Sequence, residues 1–178
     1  MMQILAISGS LRTASTNTTL LKAAAALAPE DVTLNVYEGL GDLPHFNPDL
    51  DTDPPRAAVD EFRFLLRKSA GVIISSPEYA HGVPGVLKNA LDWLVASGEL
   101  YEKPVALFSA SPRANYAQAS LLETLTVMTA RVVSGACLVL PLLGKNLDEN
   151  GIVSDPDFSR TLRSALITFA NAAADLER

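Results

Sequence analysis

Cysteine is almost missing from this chain of 178 residues, with Cys137 the only one. No disulfide can form within the chain, which fits a reducing compartment, and the cytoplasm is the expected location. Cys137 lies in the apolar run 136–140, with no neighbouring feature to lower its pKa, so it reads as a small buried hydrophobe. Histidine is scarce too: there are only His45 and His81. Neither belongs to a Cys/His cluster with metal-ligand spacing, and no Gly-x-Ser-x-Gly elbow is present, so a metal centre and a hydrolase are not expected. Positive charge is in deficit, with 14 Lys and Arg against 20 Asp and Glu and a net charge of −6. Nucleic acid and anionic membranes both select a basic face, so neither is an expected partner. Apolar runs are too short for a membrane span, and Met1-Met2-Gln3-Ile4-Leu5 lacks a basic n-region. Internal repeats and low-complexity linkers are absent as well.

What is present is an ordinary globular composition, 48% apolar and 19% charged, sufficient for one domain over residues 1–178 with a continuous core. Five apolar runs fit buried strands: 3–7, 32–37, 71–75, 104–108 and 132–140. Helical patterns or long connections separate them. The first helix carries Leu20, Ala24, Leu27 and Ala28. The second uses Val59, Phe62, Leu65 and Leu66 and stops at Gly71. The third starts at Pro84 and presents Leu87, Ala90, Leu91, Leu94 and Val95. The fourth covers 115–130, with Ala117, Leu121, Leu125 and Met128 inward. The last begins at Asp155-Pro156, a cap and a first-turn proline, and buries Phe158, Leu162, Ala165, Leu166 and Phe169. Residues 38–56, rich in Gly, Pro and Asp, read as a long connection. This alternation predicts an α/β fold of three layers, a five-stranded parallel sheet with helices on both faces and right-handed crossovers. With strand order 2-1-3-4-5, the topological switch falls between the first and third strands, where ligands bind such sheets.

The loop at the first of those positions reads Ile7-Ser8-Gly9-Ser10-Leu11-Arg12-Thr13-Ala14-Ser15-Thr16-Asn17. It joins a strand to a helix N-terminus, where unpaired N–H groups and the positive end of the helix dipole attract an anion. A Walker loop would end in Gly-Lys-Ser/Thr and a dinucleotide fingerprint would space three glycines; neither occurs. Hydroxyls, one amide and one guanidinium suit a mononucleotide phosphate. The bland alternative is a Ser/Thr-rich helix cap beside a solvated arginine.

The loop at the second position reads Ser75-Ser76-Pro77-Glu78-Tyr79-Ala80-His81-Gly82-Val83-Pro84-Gly85, and Val86-Leu87-Lys88-Asn89-Ala90-Leu91-Asp92-Trp93 follows it. Together these segments closely resemble the NADPH-dependent FMN reductase family, flavodoxin-like proteins that include chromate-, quinone- and azo-reducing flavoproteins. That family's motif runs Pro-Glu-Tyr-Asn, then Pro-Gly-x-Leu-Lys-Asn-Ala-x-Asp-Trp. The first loop matches the same family through Gly9-Ser10-Leu11-Arg12, Ser15 and Asn17. The resemblance implies noncovalent FMN, its phosphate on Ser10, Arg12, Ser15, Thr16 and Asn17, with Pro77, Glu78 and Tyr79 along the ribityl chain and ring. It also implies NADPH or NADH as cosubstrate, ping-pong transfer through the flavin to a quinone, azo compound, metal oxyanion or free flavin, and a homodimer or homotetramer. Glu78 then positions rather than transfers a proton, because the cofactor carries the chemistry. Tyr79 shields the ring or meets another subunit. Trp93, Leu94 and Leu43-Pro44-His45-Phe46 are candidate subunit contacts or plain core. Lys88 and Asp92, at i, i+4, read as a surface pair.

Two departures stand out. The family's Asn after Glu-Tyr is Ala80 here, followed by His81, which either replaces that amide or is solvated. The third loop, usually glycine-rich, reads Ser109-Ala110-Ser111-Pro112-Arg113-Ala114-Asn115-Tyr116. Ser111 and Arg113 are its candidate cofactor contacts; Arg113 suits the flavin's pyrimidine side, a cosubstrate phosphate or a surface cap. Two non-reductase readings stay open: an electron carrier like flavodoxin, and a flavin-based redox sensor without NAD(P)H turnover.

Overall fold

The computed structural model describes residues 1–175, so the last three positions of the expected 1–178 domain lie outside the described residues. Strands β1 (Met2–Ser8), β2 (Val32–Tyr37), β3 (Gly71–Ser75), β4 (Pro104–Ser109), β5 (Arg131–Val132) and β6 (Leu138–Val139) form one sheet. The order is β2-β1-β3-β4-β5, every pairing is parallel, and β6 also pairs with β4. The helices are α1 (Thr16–Ala26), α2 (Ala57–Lys68), α3 (Gly85–Asp92), α4 (Asn115–Val127), α5 (Glu149–Ser154) and α6 (Pro156–Ala174).

Successive residues of a strand point to opposite faces, so a sheet buried on both sides builds two cores. On one face Ile4, Ala6, Ile73, Ala106 and Phe108 pack with α1, α5 and α6. On the other, Leu5, Ile7, Val72, Ile74, Val105 and Leu107 pack with α2, α3 and α4. The helices expected from periodicity all form, and Asp155 caps α6 as read, accepting hydrogen bonds from the N–H groups of Asp157 and Phe158 at 3.0 Å.

Four local expectations are corrected. The single fifth strand over 132–140 is two short ones, because Ser134-Gly135-Ala136 turns into a 3-10 helix that interrupts the ladder. Helix α5, absent from the sequence reading, is a short turn capped by Asp148, which accepts from the Gly151 N–H at 2.8 Å. Helix α3 ends at Asp92, leaving Val95 exposed rather than inward. Gly71 does not stop α2. That helix ends at Lys68 with Ser69 as cap, its hydroxyl donating to the Leu66 carbonyl at 2.8 Å.

Gly71 opens β3 because the space above it is taken. A Cβ there would stand 2.7 Å from the Phe169 ring of α6 and 3.1 Å from the Pro104 carbonyl oxygen. Gly71→Ala is expected to lose about 1–3 kcal/mol through overpacking, read as a lower denaturant midpoint at unchanged m-value.

Candidate functional site

The loops that follow β1, β3 and β4 meet at the C-terminal edge of the sheet. Gly9 lets the first two touch. Its N–H extends the β1–β3 ladder to the Ser75 carbonyl at 2.8 Å, and a Cβ there would lie 2.7 Å from Ser76 Oγ and 3.1 Å from Leu87. Around this contact opens a cleft of about 350 Å³. Its lining contains Ser10, Arg12, Ser15, Thr16 and Asn17 from the first loop, Pro77, Glu78 and Tyr79 from the second, and Ser111 and Arg113 from the third. All ten candidate cofactor contacts named from the sequence therefore share one cavity.

In the first loop, Ser15 caps α1, its hydroxyl accepting from the Thr18 N–H at 3.3 Å. The hydroxyl hydrogen stays free to donate elsewhere. Asn17 is buried, and its Oδ1 accepts from the Ser75 hydroxyl at 3.0 Å, so the Nδ2 donors are the part left for a ligand. Arg12 is exposed, and no ion pair engages it among the described residues. Hydroxyls, an amide donor, a guanidinium and the N-terminal amides of α1 make a donor-rich set at one part of a mononucleotide-sized space, which fits a phosphate.

The second loop contains a tight hairpin turn. Tyr79 and Gly82 exchange two backbone hydrogen bonds at 3.1 and 2.9 Å, while Ala80 and His81 both take positive φ, 50° and 59°. Such a turn favours Asn at its first central position, so the departure at Ala80 costs backbone energy whatever it does to ligand contacts. His81 lies outside the cleft lining. Its ring stacks on Tyr116 at 4.1 Å, joining this loop to the start of α4. Glu78 makes a second tie: its Oε2 accepts from the Ala117 N–H at 2.8 Å, capping α4, whose own Ncap residue Ala114 provides no side-chain bond. The carboxylate is thus balanced by a helix N-terminus.

The third loop is held by serine turns. Ser109 Oγ donates to the Ser111 carbonyl at 2.8 Å, and Ser111 Oγ accepts from the Arg113 N–H at 3.1 Å. The Arg113 side chain is exposed at the cleft and takes part in no ion pair among the described residues.

Sequence reasoning missed Ser76, Ala110, Ala114 and Leu143 in the lining. Ser76 and Ala110 follow directly from where β3 and β4 end. Leu143 lies just past β6, in a segment with no motif to mark it. Other candidates fall elsewhere. Trp93 and Leu94 are interior, which agrees with the plain-core alternative. Trp93 Nε1 and Asn89 Nδ2 both donate to the Pro44 carbonyl, and Asn89 Oδ1 accepts from the Phe46 N–H at 2.7 Å, fixing residues 43–46 on α3. Lys88 and Asp92 form the expected surface pair. Cys137 is half-buried, and burial pushes its thiol pKa up, consistent with an inert side chain. A groove of about 460 Å³ beside β2 and α2 is larger than the cleft, but the carboxylates of Glu38 and Glu61 line it against the single cation Lys68, which disfavours a phosphate there.

A doubly wound parallel sheet with a mononucleotide-sized, phosphate-compatible cleft at its switch point defines a flavodoxin-like protein. The chain belongs to the NADPH-dependent FMN reductase family, whose family model matches residues 2–142. A quinone reductase of Pseudomonas putida is 40% identical over 111 residues, which cover 60% of this chain and 58% of that protein. A 2-hydroxy-1,4-benzoquinone reductase of Burkholderia sp is 41% identical over 92 residues, covering 52% of this chain and 49% of that protein. The chain therefore aligns with about half to three-fifths of the length of these relatives. The solved structure of FerB, a flavoenzyme NAD(P)H:(acceptor) oxidoreductase from Paracoccus denitrificans, superimposes with a TM-score of 0.86 at 27% identity, covering 98% of both chains.

Ala80→Asn is expected to stabilise the protein by about 1 kcal/mol by relieving the left-handed turn position, seen as a raised thermal midpoint. An unchanged midpoint would mean the alanine bears no strain there.

Proposed function

We propose that the chain is an NAD(P)H-dependent FMN oxidoreductase that reduces quinones and related small-molecule acceptors. The observation that carries this reading is the convergence of three loops on one cleft with a phosphate-type donor set at one side and a second guanidinium at the other. When bound, FMN supplies the hydride-accepting and hydride-donating chemistry. The chain's own residues do the holding. Ser10, Ser15, Thr16, Asn17 and Arg12 bind the phosphate, while Pro77, Glu78 and Tyr79 line the ribityl and ring portion. Ser111 and Arg113 border it from the β4 loop. Glu78 acts by position, since its carboxylate is committed to the start of α4. Tyr79, 52% exposed in the cleft lining, offers an aromatic face where nicotinamide and acceptor take turns.

The cosubstrate, the quinone-type acceptor and a cytoplasmic location belong to this proposal. So does pairing into a homodimer or homotetramer, supported by the exposed apolar side chains of Leu122 and Val127 on α4. No helix among the described residues is long and apolar enough to cross a membrane.

The direct test is an anaerobic absorbance titration of FMN-reconstituted protein with NADPH and then NADH, followed by a quinone. Bleaching of the flavin band and its return with quinone supports the reductase cycle. FMN bound but reduced by neither nucleotide would turn the reading to an electron carrier or redox sensor. Arg12→Ala is expected to weaken FMN binding about 10- to 100-fold, the worth of one charged hydrogen-bonding partner, with the fold intact. Unchanged affinity would remove Arg12 from the phosphate site.

A further inference from the structure

We propose that the groove between β2 and α2 is a binding site for a small organic amine, whose ammonium group is received by Tyr37 Oη, Glu61 and Glu38 and whose apolar stem lies on Leu5 and Leu65. None of the groove's lining residues lines the cleft, so the proposal stands whether or not the cleft holds FMN.

The groove exists because α2 leaves part of an edge strand uncovered. β2 is at the end of the sheet, and the register sets Asn35 beside Leu5 and Tyr37 beside Ile7. Alternate residues share a face, so Asn35 stands on the same side as Tyr37, which packs in the core beneath α2. Helix α2 supplies the opposite wall with Glu61, Leu65 and Lys68, at i, i+4 and i+7. The space between, about 460 Å³, is of small-molecule size.

Tyr37 gives the groove its specific feature. The residue is only 9% exposed and its ring stacks on Phe62 at 4.9 Å, yet its hydroxyl has no hydrogen-bond partner among the described residues. That oxygen is directed at the groove: a Cβ on Gly39, which lines it, would stand 2.7 Å from Oη. Burial, and then the carboxylates of Glu61 and Asp42, push the phenol up to about 12, so it stays neutral and its oxygen keeps lone pairs for a donor. A polar atom this enclosed is ordinarily paired, and here the partner must come from a ligand.

The charges select the ligand. Glu38 and Glu61 have no ion-pair partners among the described residues. Lys68 does not neutralise them. It is two turns from Glu61, roughly 10 Å along the helix axis, and its Nζ lies over the Phe64 ring at 5.7 Å. Asn35 Nδ2 donates to Gln3 Oε1 at 2.8 Å, which leaves Asn35 Oδ1 as a further acceptor. Acceptors and negative charge therefore gather at the Tyr37 end. An ammonium group brings three donors and the complementary charge, whereas a carboxylate or phosphate would meet like charge.

The test titrates the full chain, with and without FMN, with butylamine at constant ionic strength. The side-chain amide signals of Asn35 and Gln3 are followed by NMR, and butanol and butyrate serve as neutral and anionic controls. Butylamine is expected to give saturable shifts with a Kd on the order of millimolar, and the two controls none. Tyr37→Phe preserves the stack on Phe62 and is expected to weaken binding about fivefold, and Glu61→Gln about tenfold. Glu30→Gln removes the same charge outside the groove and is expected to change nothing; the dispersion of each spectrum checks that the variant is folded. No saturable response, equal binding of butanol, or unchanged affinity in both groove variants would overturn the proposal. So would an equal loss in Glu30→Gln, which would show attraction to overall charge rather than to this site.

Discussion

The near contact between the loops after β1 and β3 is the constraint on which the site depends. It exists because Gly9 has no side chain: the space a Cβ would fill belongs to Ser76 and Leu87. The same junction is tied by the Gly9 N–H to the Ser75 carbonyl and by the Ser75 hydroxyl to Asn17 in the first turn of α1. One buried serine thus registers a helix N-terminus against the neighbouring strand. Without that register, the donors of α1 and the Pro77-Glu78-Tyr79 turn would face separate pockets.

Charge is distributed against the average of the chain. The protein is acidic overall, yet its cleft holds two arginines without ion-pair partners among the described residues, and its one carboxylate is spent on a helix cap. Charges in a partly enclosed cleft act more strongly than on open surface, since less water screens them. A few residues can therefore outweigh a net charge of −6 within this cleft.

Part of the family motif serves the scaffold rather than the ligand. Asn89 and Trp93 hold residues 43–46 through three hydrogen bonds, and Phe46 meets the Trp93 ring edge-on at 5.1 Å. Buried Arg63 donates to the Trp93 carbonyl and pairs with Asp51 at 2.9 Å, fastening the same long connection farther along. Breaking a pair of this kind leaves an uncompensated buried charge, which explains how an irregular segment of 19 positions, 38–56, stays ordered without a strand or long helix.

The layer pattern and the two diagnostic loops were legible in the sequence alone, because the 3.6-residue periodicity, the short apolar runs and the strand-to-helix junctions are local properties, whereas the strand order came with the flavodoxin-like class. The ten residues nominated from the loops after β1, β3 and β4 lie in one cleft because a parallel sheet sends all of its βα loops to one edge. Only the tertiary structure decided the rest. The division of β5 from β6, the arrival of Leu143, the stacking of His81 on Tyr116 and the reach of Glu78 to α4 all join residues far apart in the chain or respond to space left by neighbours. Gly71 shows the limit most clearly. In sequence it looks like a helix stop, whereas in the fold it is the residue small enough to pass beneath Phe169, a fact set by packing across the sheet and by nothing adjacent to it.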